Sequence, residues 1–132
     1  MKLLIRYLSL VAGILLISFQ QPTAQALQLE SPDGSVHLRF TLDEGRPSIS
    51  AEYNGEQFLN ATELGLSFRD QPSLRTDFRL LESEVSSEDQ TWEPVYGIAS
   101  QIRDHYKEMV VKLVETTPVA RKLNIIVRAY DN

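Results

Sequence analysis

Between Ser35 and Leu42 the chain reads SVHLRFTL, with Val36, Leu38, Phe40 and Leu42 strictly alternating with His37, Arg39 and Thr41. On a helix those four apolar residues would be spread around the circumference. On a strand they all fall on one side, because successive side chains point to opposite faces. The stretch is therefore a half-buried strand, and one such strand constrains the rest. Its backbone needs a neighbouring strand, and its apolar face needs a second layer to cover it.

The start of the chain has a different purpose. Lys2 and Arg6 are followed by an apolar run of about a dozen residues ending near Phe19, and Ala24-Gln25-Ala26 has the small-x-small form of a cleavage site. This is the pattern of a secretory signal peptide over residues 1–26, cut after Ala26, and it predicts a secreted, periplasmic protein. The run is shorter than the roughly twenty residues a spanning helix needs, so no membrane association is expected once it is removed. Export without cysteine excludes disulfides, thiolate metal sites and a lipid-modified cut site. Stability must then come from packing or from a neighbouring domain. Removing 26 of 132 residues leaves a 106-residue domain, 27–132, with 11 basic and 18 acidic residues, a net charge of −7. That surface disfavours nucleic acid and anionic lipid as partners and leaves neutral ligands such as sugars open.

Strands and turns occupy the rest of the mature chain. Leu27 and Leu29 begin an edge strand, SPDG at 31–34 is a turn, and DEGRP at 43–47 breaks the 36–42 strand. Strands over 48–53 and 56–59 flank Asn54-Gly55, the pair best suited to a two-residue type I′ hairpin. Leu64, Leu66 and Phe68 then fall on one side, ahead of a polar loop over 69–77. Further strands are expected over 78–85, 95–102, 107–115 and 121–130, with SSEDQ at 86–90 a solvated loop and Pro118 interrupting any ladder in TTPVA. Seven or eight strands at intervals of about ten residues predict an all-β antiparallel sandwich.

No catalytic set emerges. His37 and His105 are far apart, with His37 on the polar side of its strand, and both the G-x-S-x-G elbow and the glycine-rich phosphate loop are missing. The densest chemistry is TWEPVYGIASQIRDHYKE, 91–108. Aromatic rings stack on sugar faces while flanking polar groups bond hydroxyls, so this stretch is a candidate carbohydrate surface. Its structural rival is that Trp92 and Tyr96 fill the sandwich core or cover a contact with another domain. Arg103 and Glu108 would then form an ordinary ion pair across a loop.

SPDG, ATELGLSF, WEPVYG, IRDHYKE and the closing IIVRAYDN, in this order and spacing, resemble the N-terminal domain of glycoside hydrolase family 97 over nearly all of 27–132. These are exported bacterial enzymes of the α-glucosidase and α-galactosidase kind. The resemblance implies a β-super-sandwich of the galactose mutarotase-like type, incomplete here at its C-terminus because a glycine and a further strand follow IIVRAYDN in family members. It also implies a (β/α)8 barrel, absent from this chain, that supplies the catalytic carboxylates and most ligands of a calcium ion. The matching positions Trp92, Gly97, Arg103, Tyr106 and Glu108 include no catalytic residue and no calcium ligand. The candidate carbohydrate or interdomain residues are accordingly Trp92, Tyr96, Arg103, Tyr106 and Glu108, with no cofactor expected in this chain.

The expected function is non-catalytic: a carbohydrate-binding-type sandwich that supports and shapes the sugar site of the barrel, with an oligosaccharide or that barrel as partner. A standalone periplasmic carbohydrate-binding module, or a structural protein-interaction domain, is the alternative. Cut strand edges would make the isolated chain poorly soluble.

Overall fold

The computed structural model describes residues 24–95 and 101–131, and in them every regular element is a strand. Four strands, β1 (Gln25–Glu30), β2 (Val36–Asp43), β3 (Arg46–Tyr53) and β4 (Glu56–Glu63), form one antiparallel meander in chain order. Three longer ones, β5 (Phe78–Trp92), β6 (Ile102–Glu115) and β7 (Lys122–Tyr130), form a second. The two sheets stack as an all-β sandwich.

The alternation at 36–42 sets the first sheet. Leu29 stands opposite Leu38, and Leu38 opposite Ala51, so the inward rows of β1, β2 and β3 coincide. Phe40 is wholly buried and lies beside Ile49. From the second sheet, Met109, Val111 and Leu113 of β6 are fully buried and meet the same core, with Leu123, Ile125, Val127 and Ala129 of β7 beside them. Each large apolar side chain removed from water in this way contributes roughly 1.5–3 kcal/mol before entropy is counted.

Two of the turns have left-handed residues where their hairpins require them. Asn54 and Gly55 (φ 49° and 82°) make the expected hairpin between β3 and β4. DEGRP turns out to hold a second hairpin of the same form: Glu44 and Gly45 (φ 46° and 75°) connect Asp43 to Arg46, which pair directly.

Three expectations are corrected. SSEDQ is not a loop but the middle of β5, which runs unbroken to Trp92 and pairs residue by residue with β6. Its polarity has a simple origin: this part of β5 extends past the cover of the first sheet, so both faces are wet and no alternation is demanded. A bulge between Leu80 and Glu82 adds a change of phase, moving the inward row from Phe78 and Leu80 to Ser83 and Val85. Leu64, Leu66 and Phe68 do not share one side: Leu64 packs against the core, whereas Leu66 and Phe68 are exposed. Leu66 exchanges two backbone hydrogen bonds with Leu74 (3.0 and 2.8 Å), closing a loop. Finally, β6 starts at Ile102, five residues before the expected 107. Most of the strand expected over 95–102 lies outside the described residues; Val95 is not in a strand.

Candidate functional site

Strand parity sorts the sequence candidates. Positions 103 and 105 of β6 share the face of Met109; positions 106 and 108 share the opposite, outer face. Arg103 and Glu108 therefore point to different sides of the sheet, and the ion pair expected between them does not form. Arg103 instead clamps Asp89 of β5 with two hydrogen bonds of 2.8 and 2.7 Å. That contact holds the Asp89 carboxyl below its ordinary range and raises the guanidinium. Glu108 accepts a 2.6 Å bond from Arg128, its direct cross-strand neighbour on β7.

Tyr106 and Glu108 are the two candidates that come together. On the outer face Tyr106 packs against Tyr130 with ring centroids 5.0 Å apart, and the Arg128 guanidinium lies 4.8 Å over the Tyr106 ring. Burial under these neighbours is the main reason the Tyr106 hydroxyl is pushed above its usual pKa, and the hydrogen bonds of Arg128 to Glu108 and Tyr130 keep that guanidinium charged. The outcome is a firm patch with exposed Tyr130 and Ile126 at its surface. Trp92 sits at the far end of the same face, opposite Ile102, and is 49 % exposed. It does not fill the sandwich core, because β5 and β6 are a two-stranded ribbon there. Tyr96 and Gly97 lie outside the described residues.

On the other face, His105 meets Asp131 just past β7. The second oxygen of that carboxylate accepts the Asp33 backbone N–H at 3.0 Å, and the Asp131 N–H bonds the His105 carbonyl at 3.2 Å. Asp33 is itself held by Ser31 and Ser35 in the SPDG turn. Asp131 thus fastens the end of the second sheet to the first turn of the first sheet. At the opposite end Arg121 grips buried Glu115 through two 2.6 Å bonds and also donates to the carbonyls of Pro72 and Ser73 at 2.8 and 3.0 Å, tying the 69–77 loop to the sandwich. These bonds hold the Glu115 carboxyl below its ordinary range despite burial.

A site the sequence reading passed over lies on the outer face of the first sheet. Gln28, Glu30, His37, Arg39, Ser50 and Glu52 line an open cleft of about 370 Å³. In sequence these residues are only the polar half of alternating strands. What would have singled them out is the register, which sets Glu30, His37 and Glu52 in one row and Gln28, Arg39 and Ser50 in the next. Among the described residues no three His, Asp or Glu side chains gather closely enough to hold a metal ion.

Two stacked antiparallel sheets define an all-β sandwich, and the outer face of the second carries the ring-and-charge patch of Tyr106, Tyr130, Arg128 and Glu108. The Glycosyl-hydrolase 97 N-terminal family matches residues 29–132, and the chain belongs to that family. Among solved structures it is similar to a glycoside hydrolase family 97 enzyme of Pseudoalteromonas sp. strain K8, seen with panose and with acarbose, at 20 % identity and a TM-score of 0.74. A β-arabinopyranosidase is similar at 23 % identity and 0.71, over 82 % of this chain and 17 % of its own. The Pseudoalteromonas match covers 80 % of this chain but 16 % of the enzyme. These likenesses establish the sandwich fold. The catalytic part of such an enzyme is not among the residues matched.

Proposed function

We propose that the chain is the N-terminal sandwich of an exported, periplasmic glycoside hydrolase, without catalytic activity of its own, which supports a catalytic barrel and shapes the entrance to its sugar site. The observation that carries this reading is the family match across nearly all the folded residues, set against a chain spanning 16 % of an enzyme seen with panose. The internal chemistry agrees with a supporting role. Asp89, Glu108, Glu115 and Asp131 are each engaged by a basic partner, which suits a rigid scaffold better than an acid or base that must exchange protons with substrate.

A standalone carbohydrate-binding module is favoured by one feature: the exposed Tyr130 and Trp92 on a face stiffened by Arg128 and Glu108. Incubating the purified chain with panose tests the main reading. No glucose is released on that reading. Release that survives repurification and is lost on substituting a carboxylate of this chain would overturn it.

A further inference from the structure

We propose that the cleft across β1, β2 and β3 is a binding subsite for a neutral oligosaccharide, with Arg39 and His37 as donors and Glu30 and Glu52 as acceptors. The inference rests on the glycoside hydrolase reading and gives it a location that neither the family match nor the aromatic stretch 91–108 indicates.

The shape comes first. At about 370 Å³ the cleft falls within the range of small-ligand sites, and it is built on three neighbouring strands of the first sheet rather than on loops. Directly beneath the polar rows lie buried Leu29, Ala51 and Phe40, which anchor those strands to the core.

Charge then selects the ligand. His37 is flanked on neighbouring strands by Glu30 and Glu52, and Arg39 by Gln28 and Ser50, at the roughly 4.8 Å spacing of adjacent strands. Two carboxylates would repel a phosphate or another acid. Arg39 at the centre would repel a cation, and the groups do not converge as metal ligands do. An apolar ligand would strand the polar rows without partners. A neutral polyhydroxylated ring satisfies both kinds of group, because each hydroxyl donates to a carboxylate and accepts from the guanidinium or imidazole.

Finally, the groups are unspent. Arg39, His37, Glu30 and Glu52 form no ion pair with one another, although elsewhere in the chain Arg103, Arg121 and Arg128 are all fastened to carboxylates. Their hydrogen-bonding capacity faces water and is available to a ligand.

The test is a titration of the full ¹⁵N-labelled chain with panose, followed by amide chemical shifts. The expected result is saturable shifts confined to residues 28–30, 37–39 and 50–52, weakened about tenfold or more by Arg39→Ala, the change expected when a hydrogen bond to a charged group is lost. Glu52→Gln should weaken it in the same direction. All these side chains are exposed, so the variants keep the fold, and the same spectra verify that. Shifts confined to 106, 128 and 130 overturn the cleft while leaving a sugar-binding sandwich in place. So does binding indifferent to both substitutions. No shift anywhere at tens of millimolar panose overturns the cleft as well. The supporting role in the enzyme is read separately, by the hydrolysis assay above.

Discussion

Glu44 shows at the scale of one residue how a fold tolerates a poor local choice. It adopts φ 46° in a hairpin whose first position favours asparagine, and it is exposed. Glu44→Asn is expected to stabilise the protein by about 0.5–1 kcal/mol, read as a higher urea midpoint with unchanged slope. The glycines beside it and in the next hairpin separate strain from collision. Both have positive φ, but a Cβ at Gly45 would meet the backbone nitrogen of Phe78 at 3.0 Å, whereas nothing lies within 4 Å of one at Gly55. Gly55→Ala should therefore cost about 1–2 kcal/mol, the left-handed penalty alone, and Gly45→Ala should cost more. Glu115 makes a pH prediction. Its carboxyl is depressed below 4.5 in the folded state by Arg121, so the pair's stabilisation is complete above the unfolded value and is lost as pH falls through the folded one. Melting temperature followed from pH 6 downward should decline below about 4.5, and Glu115→Gln should flatten part of that decline while lowering the plateau.

Among the elements, legibility followed burial. β2 was legible because half of it faces the core and half faces water, and Asn54-Gly55 because the turn chemistry is local. The far half of β5 was not, since neither face is covered and its strand identity comes from pairing with β6, a partner 14 to 30 residues away in the contacts that mark it. The bulge after Leu80 hid it further by breaking the period. For the same reason the stretch 91–108 reads in sequence as one polar-aromatic run that cannot be sorted: only register reveals that Tyr106 and Glu108 share a face that Arg103 does not. The same view ranks substitutions. Phe40→Ala removes a fully buried ring at the centre of the core and should cost about 3–5 kcal/mol, whereas Phe58→Ala on β4, 64 % exposed, should stay within about 0.5 kcal/mol in a denaturant melt.

The whole molecule is two sheets joined by a shared core and by a few fasteners at the ends. Asp131 is the fastener between the second sheet and the SPDG turn. Asp131→Ala should speed hydrogen exchange at the Asp33 amide while leaving the Phe40 amide protected, since β2 keeps both of its ladders. Among the described residues the surface exposes Ile126, Tyr130, Val85 and Trp92, and β4 and β7 are edge strands of their sheets. The supporting role proposed above would cover that surface. The direct measurement is an immunoblot of the exported fraction of the source cells with an antibody to this sandwich. The account predicts a band several times heavier than the 15.0 kDa of this chain, in keeping with relatives of which it spans 16 %. A single stable band at or below 15.0 kDa would contradict it.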